Sequence, residues 1–166
     1  GAGVSNFNPT GAGVWSNGDK RYVRSYQQLN NFTSLTNSVS VNTGQDVAGN
    51  VQTASAASGN FIIDRVAPTV SSVNRVTQEF TNLASLQYAV TFNELVTGLT
   101  NANFDPFVVS GTVVGASVTG FTTSDNITYT VTISIGAGSN GVLRLDVNTS
   151  GSAVDARSNT FATSFN

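Results

Sequence analysis

The sequence predicts an all-β protein built from antiparallel β-sandwiches. Residues 127–135 alternate apolar side chains with Thr and Ser without a break, and residues 85–92 show a similar alternation. Such alternation places one face of a strand against a core and the other in water, as in antiparallel sheets. The composition favours the same class, because Val and Thr suit pleated surfaces whereas Gly, Asn and Ser suit turns. No window shows the 3.6-residue period of a helix.

Strand patterns recur over residues 67–166 at the spacing of a small sandwich. In the second of them the apolar residues from Leu86 to Phe92 share one face, and the glycine-rich residues 136–141 form a hairpin loop between two later strands. The pattern predicts seven strands, at about 69–76, 86–93, 104–110, 113–121, 127–135, 142–148 and 160–165.

A short motif, Val-Asn-Thr followed by a glycine and then Asp-x-x-x-Asn, occurs twice in the sequence. The two copies align Asp46 with Asp155 and, four residues later, Asn50 with Asn159. A motif that recurs at this separation is typical of tandem repeats, in which each repeat is one structural unit.

The repeat divides the chain into two units. Upstream of the motif, residues 22–26 match residues 129–133, so the N-terminal part resembles the back half of a unit that is complete further on. We therefore predict a partial or variant sandwich unit at 1–66 and a complete sandwich domain at 67–166. The boundary falls near Pro68, which stiffens the joint and cannot donate to a strand ladder.

The first unit lacks the patterns of the first three strands of a sandwich. A half-sandwich would leave open strand edges and an uncovered apolar face. Three explanations remain open from the sequence. The chain is a cut piece of a longer one, the unit is a complete but variant domain, or a neighbouring chain supplies the missing strands by donation.

Charge and side-chain inventory argue against several function classes. The net charge is −2 with no basic stripe, which argues against a nucleic-acid partner. Histidine and cysteine are absent and the nine acids are scattered, so we expect no enzymatic activity. No segment approaches the ~20 apolar residues of a transmembrane helix, so we expect no membrane insertion. Because there is no methionine and no signal peptide, we expect a fragment or processed form.

Several segments together resemble a known family. They are residues 64–69 at the joint, 90–94 closing the second strand, 129–133, 141–146 and the turn at Asp155. In this order and spacing, the chain resembles the bacterial immunoglobulin-like (Ig-like) repeats of large surface adhesins. The resemblance implies an Ig-like antiparallel β-sandwich in tandem units, an extracellular or cell-surface location, and a role as spacer, stalk or adhesive tip. It also implies neighbouring repeats as partners, and some members of the family bind calcium at domain joints.

Acidic residues are predicted to converge at the joint. Because successive strands of a sandwich run from pole to pole, the end of the second strand and two later turns lie at the pole nearest the linker. A hard cation with 6–8 oxygen ligands would relieve their repulsion, so we predict a calcium site. The alternative is that these are solvated turn residues. The candidate ligands are Asp64, Glu94 and Asp155, with Asn93 and Asp125.

Three aromatic residues in the first unit are candidates for binding. Trp15, Tyr22 and Tyr26 would suit a glycan or protein ligand, such as one on a host cell, if they are exposed. The alternative is that the lone tryptophan lies in a sandwich core. The sequence therefore predicts a structural or adhesive module of a surface protein. A filament subunit assembled by strand donation and a carbohydrate-binding accessory module remain as alternatives.

Overall fold

A computed structural model describes residues 7–18, 21–28, 34–38, 44–53 and 60–166. The chain divides into two compact units, Gly1–Val66 and Ala67–Asn166. Within the described residues all regular structure is antiparallel β-sheet, apart from one 3₁₀ turn at Asn101–Asn103. The all-β prediction is therefore confirmed. No helix of sufficient length and apolar character to cross a membrane occurs in the part of the chain that the structure describes.

The described residues of the first unit form three two-stranded antiparallel pairs. In chain order its strands are β1 (Phe7–Pro9), β2 (Val14–Ser16), β3 (Arg21–Val23), β4 (Tyr26–Gln28), β5 (Ser34–Ser38) and β6 (Asn60–Asp64). Strand β1 pairs with β4, β2 with β3, and β5 with β6. Asn17 and Gly18 follow β2 with φ values of 55° and 58°, the left-handed conformation that Asn-Gly provides in hairpin turns.

The second unit carries the larger sheets. Its strands are β7 (Val70–Arg75), β8 (Ser85–Phe92), β9 (Val96–Thr97), β10 (Phe104–Thr112), β11 (Ser117–Thr123), β12 (Thr128–Ser134), β13 (Asn140–Val147) and β14 (Val154–Asp155). One sheet has the order β11–β12–β8–β7. Strand β10 pairs with β13, and the two-residue strands β9 and β14 pair with each other.

One apolar core holds the second unit together. Alternate residues of β8 and β12 point into it, and it continues across to β13. Phe92 packs edge-on against Phe161 and Tyr129, with ring centroids 5.5 and 5.9 Å apart. Each buried side chain of this size stabilises the fold by about 1.5–3 kcal/mol. The buried apolar residues are Tyr88, Val90, Phe92, Val96, Phe104, Tyr129, Val131, Ile133, Leu145, Val147, Ala153 and Phe161.

Two predictions at the level of strands are wrong. Residues 160–165 do not form a regular strand, because Thr160 and Phe165 make only isolated bridges, to Val154 and Val147. The predicted structural equivalence of residues 22–26 and 129–133 is also wrong. Residues 129–133 lie within β12, which is paired on both sides, whereas 22–26 are split between β3 and β4. The repeated tyrosine therefore marks sequence similarity without an equivalent strand.

Candidate functional site

Asn93 fastens the start of β7 to the end of β8. The backbone N–H of Asn93 donates to the Thr69 carbonyl at 2.9 Å, and the Thr69 N–H donates to the Asn93 side-chain oxygen at 2.6 Å. The side-chain amide of Asn93 donates to Oε1 of Glu94 at 3.4 Å. Asn93 thus holds the linker-proximal pole of the second unit together and lies directly beside the first candidate carboxylate.

Glu94 and Asp155 come together at this pole. Strand β9 follows Glu94 and pairs with β14, in the register Val96 to Asp155. The pairing brings carboxylate oxygens of Glu94 and Asp155 to within 4.8 Å of each other. Asp155 is only 4% exposed, whereas Glu94 is half-buried. Two carboxylates this close repel each other, and a cation between them would be stabilising.

Asp155 also organises its own loop. Its Oδ1 accepts from the backbone N–H groups of Arg157 and Asn159, at 2.7 and 2.8 Å, and its Oδ2 accepts from the Asn159 side chain at 2.7 Å. Burial raises the pKa of Asp155, but the hydrogen bonds from Asn159 and Arg157 and the positive charge of Arg157 outweigh it. The pKa of the carboxyl therefore lies below its usual value of 3.8.

The loop that begins at Asp46 in the first unit makes the same hydrogen bonds. Asn50 donates its backbone N–H to Oδ1 of Asp46 and its side-chain amide to Oδ2, both at 2.8 Å. The Asp46 N–H donates to the Asn50 carbonyl at 3.1 Å, as the Asp155 N–H does to the Asn159 carbonyl at 3.1 Å. The hydrogen bonds from Asn50 lower the pKa of Asp46.

The backbone around the two loops matches as well. The residues that flank each loop are bridged, Gln45 to Val51 in the first unit and Val154 to Thr160 in the second. The next residues outward are also hydrogen-bonded, from the Gln52 N–H to the Gly44 carbonyl and from the Phe161 N–H to the Ala153 carbonyl. The two Asp-x-x-x-Asn segments therefore form one kind of loop, which is called the Asp–Asn loop below.

Asp125 lies in a neighbouring turn and serves that turn. Its Oδ1 accepts from the N–H groups of Ile127 and Thr128, at 2.9 and 2.8 Å, and these bonds lower its pKa. The carbonyl of Asn126 accepts from Val96 N–H at 2.8 Å, so the turn is at the same pole as β9. Among the described residues, Asp125 does not join the close carboxylate group that contains Glu94 and Asp155.

Asp64 belongs to the first unit. It is half-buried at the end of β6, and its Oδ1 accepts from the Val66 N–H at 3.0 Å. Thr69, the residue that Asn93 holds, lies five positions further along the chain. A chain advances by at most about 3.6 Å per residue, so the covalent link limits the distance from Asp64 to Thr69 to roughly 18 Å.

The candidate aromatic residues are on the surface of the first unit. Trp15 is 57% and Tyr22 48% exposed, so a position in a sandwich core is excluded for Trp15. They face each other across the β2–β3 hairpin with ring centroids 4.9 Å apart. Gly13 makes room for the Tyr22 ring, because a Cβ there would lie 1.9 Å from the phenol oxygen. Tyr26 is half-buried in β4, with the Arg24 guanidinium 5.9 Å from its ring centre.

A buried side-chain amide, which the sequence did not predict, hydrogen-bonds several backbone groups of the second unit. Asn103 is fully buried, and its side-chain oxygen accepts from the backbone N–H and the hydroxyl of Thr100. Its amide nitrogen donates to the carbonyls of Asn148 and Ser150. Asparagine in a polar stretch usually indicates a turn, so the sequence offered no signal for an interior role.

Comparisons with protein-family models, curated proteins and solved structures found no match.

Proposed function

We propose that the chain is an extracellular structural or adhesive module made of tandem Ig-like repeats, stiffened by calcium at the joint between them. The observation that carries the proposal is the Asp–Asn loop, which occurs once in each unit with the same side-chain and backbone hydrogen bonds. A hydrogen-bonded loop repeated in consecutive units is the pattern expected of a repeat array, in which units act as spacers.

The strand order of the second unit supports the Ig-like part of the proposal. Ig-like sandwiches of the constant type have strands A, B, E and D in one sheet and C, F and G in the other. With β7, β8, β10, β11, β12 and β13 lettered A to F, the four-stranded sheet reads D–E–B–A and the second sheet reads C–F. Phe165, bridged to Val147 of β13, takes the position of strand G.

The calcium part of the proposal rests on the acidic pole. Glu94 and Asp155 supply two close carboxylates, and a short covalent link joins Asp64 to the strand that begins at this pole. Calcium takes oxygen ligands from carboxylates and carbonyls, and a carboxylate that already accepts hydrogen bonds keeps further lone pairs. Asp64, Glu94 and Asp155 would hold the ion, and the ion would fix the end of the first unit to the pole of the second.

Thermal unfolding of the full chain with calcium and with chelator tests the cation. We expect calcium to raise the melting temperature and Glu94→Gln to remove most of that rise. Asp105→Asn, which changes an exposed acid on β10, is the matched control and should keep the rise. Equal melting curves with calcium and with chelator would refute the calcium site.

Amide relaxation measured by NMR tests the spacer role separately. In calcium the amides of both units should report one common tumbling time, and in chelator they should report two shorter ones. A stabilising effect of calcium without a change in tumbling would leave a cation site but refute the stiffened joint.

The exposed aromatic hairpin favours a carbohydrate-binding accessory module as a second candidate. The rings of Trp15 and Tyr22 offer apolar faces beside polar groups, as binding surfaces often do. Binding to a glycan array by the full chain, lost with Trp15→Ala and retained with Val14→Ala on the other face of the same strand, would support this function over a purely structural one.

A further inference from the structure

The exposed faces of the two larger sheets of the second unit differ in character. Along β8 and β12 the residues that alternate with the buried ones are Ser, Gln, Ala and Thr. The exposed face of the β10–β13 sheet instead carries Phe107, which is 45% exposed, and Val142, which is 54% exposed. Exposed apolar side chains bordered by charged ones often mark an interaction site. This face is therefore the better candidate for a contact surface.

Three charged residues share this face with the apolar ones. In the ladder between β10 and β13, Asp105 pairs with Asp146 and Phe107 pairs with Arg144, and directly paired residues share a face. The residues that alternate with these four are buried or half-buried, so the four side chains lie on the exposed side. Val142, two residues before Arg144, lies on the same side. These five residues are called the β10–β13 face below.

Arg144 is held in one orientation on this face. Its Nε and Nη2 donate to the two carboxylate oxygens of Asp146, at 2.7 and 3.0 Å. Its guanidinium carbon lies 4.4 Å from the centre of the Phe107 ring. A side chain that is fixed in advance loses little conformational entropy when it binds a partner. Arginine and aromatic residues are also enriched in protein–protein interfaces.

Part of the Arg144 guanidinium remains available for a further bond. A guanidinium has five N–H donors, and Asp146 accepts from two of them. No other described residue accepts from this side chain, which is 45% exposed. The three remaining donors are on Nη1 and Nη2, and two parallel N–H groups of a guanidinium match the two oxygens of a carboxylate. The β10–β13 face therefore offers a place for one more carboxylate.

Asp105 supplies a carboxylate without a partner of its own. It is exposed, and its side chain makes no hydrogen bond or ion pair with any residue that the structure describes. It lies directly opposite Asp146, and like charges in such a pair repel each other. Because Arg144 neutralises Asp146, Asp105 is the charge that a second guanidinium would stabilise.

An available guanidinium and an unpaired carboxylate make the β10–β13 face complementary to its own copy. In a two-fold symmetric contact, residue i of each copy meets residue j of the other. One axis therefore forms two equal ion pairs, from each Arg144 to the Asp105 of the other copy. Phe107 is a neighbour of both residues, along β10 and across the ladder, so it lies near this axis and meets the Phe107 of the other copy.

We propose that the chain associates through the β10–β13 face with a second copy of itself, each Arg144 binding the Asp105 of the other copy and the two Phe107 rings in contact between them. The contact does not depend on the cation or on the aromatic hairpin of the first unit. A face of two strands makes a small contact, and small contacts are weak and transient. In an array of modules several such contacts act together, a consequence that rests on the proposed function.

Charge-reversed variants of the full chain test the contact by sedimentation at concentrations up to about 1 mM. The unchanged protein should dimerise. Asp105→Arg alone and Arg144→Glu alone should each dimerise at least about tenfold more weakly, because each change brings like charges together in a symmetric contact. An equimolar mixture of the two variants should recover dimerisation. In the mixed pair the introduced arginine meets the introduced glutamate, and the retained Arg144 meets the retained Asp105.

Gln87→Arg and Gln87→Glu change the charge on the exposed face of β8 and are the matched controls. Both should dimerise like the unchanged protein, because the net charge of the chain is not what drives the contact. An unchanged protein that stays monomeric at every concentration, a charge-reversed variant that dimerises as well as the unchanged protein, or a mixture of folded variants that stays monomeric would overturn the proposal.

Amide chemical shifts of the unchanged chain provide a second measurement that needs no variant. With rising concentration the amides of Phe107 and Arg144 should shift along one common binding curve. The amides of Thr130 and Thr132, on β12 in the four-stranded sheet, should stay constant. Shifts confined to residues outside β10 and β13 would place the contact elsewhere and contradict the proposal.

Discussion

At the scale of single residues, the Asp–Asn loop links sequence and structure most directly. The alignment of Asp46 with Asp155 follows from the sequence alone, and both residues make the same bonds to an asparagine four residues later. The loops differ at the residue before that asparagine. Gly49 has a φ of 87° and Ser158 a φ of 68°, a region that costs a residue with a Cβ about 1 kcal/mol.

We expect Ser158→Gly to stabilise the second unit by about 0.5–1 kcal/mol, because it removes this backbone strain. The gain should be visible as a rise of a few degrees in the melting temperature measured by circular dichroism. The reciprocal change Gly49→Ser, in the first unit, is the matched control and should be destabilising. A loss of stability for Ser158→Gly would contradict the role assigned to the φ angle.

The buried amide of Asn103 is the second prediction at this scale. Asn103→Ala should destabilise the second unit by about 3 kcal/mol, because the N–H of Thr100 and the carbonyls of Asn148 and Ser150 lose their partner. Denaturant unfolding measures the change. Asn101→Ala removes an exposed side chain from the same 3₁₀ turn, with one 3.5 Å contact, and should cost less than about 0.5 kcal/mol. Similar losses for both variants would count against the buried network.

The pH dependence of stability follows from Asp155. Because hydrogen bonds hold its pKa below 3.8 in the folded chain, its contribution is present above about pH 4 and is lost as the pH falls through the folded pKa. Melting temperature of the second unit should therefore drop on acidification below about pH 4, and less steeply in Asp155→Asn. The two proteins should show parallel curves above about pH 6. An equally steep acid loss in the variant would assign the effect to other carboxyls.

At the scale of elements, the alternation of apolar and polar residues predicted where the strands of the second unit lie. It did not predict which strands pair with each other. Strands β8 and β12 lie within about a residue of their predicted positions, because buried and exposed faces alternate along them. The short strands β9 and β14 were not predicted, since two residues carry no periodicity. The pole-to-pole course of the strands predicted that Glu94 and Asp155 would lie close together. It did not predict that Asp125 accepts hydrogen bonds within its own turn, because that depends on the local backbone geometry.

The junction of β10 and β13 provides the prediction at this scale. Gly111 pairs with Gly141, and a Cβ at Gly111 would lie 2.4 Å from the Asn140 carbonyl oxygen. With a φ of 75° as well, Gly111→Ala should cost about 2 kcal/mol or more of unfolding free energy. Gly115→Ala has a similar φ of 59° but open space, so it should cost only about 1 kcal/mol. Equal costs would show that the close approach of the strands has no effect.

At the scale of the whole molecule, the two units differ in how they are held together. The second unit has a contiguous apolar core, whereas none of the first-unit residues whose burial the structure describes is fully buried. The sequence indicated two units through the repeated loop, but it did not indicate this difference. Core formation depends on which strands meet, and alternation specifies only which side of each strand is apolar.

We expect residues 67–166 to fold on their own and to unfold cooperatively, because the buried apolar residues of their core all belong to this segment. Calorimetry of this segment should show a transition within a few degrees of the main transition of the full chain in chelator. Residues 1–66 alone should show no comparable transition. Absence of a cooperative transition in 67–166 would mean that the core depends on the first unit.

The exposed hairpin of the first unit has a practical consequence. Trp15 is the only tryptophan of the chain and is 57% exposed, whereas the second unit contains Tyr88 and Tyr129 in its interior. Excitation selective for indole therefore reports on the first unit alone, and the emission wavelength responds to anything that covers the hairpin. Intrinsic tryptophan fluorescence therefore reports ligand binding and unfolding of the first unit without labelling, and the second unit does not contribute to the signal.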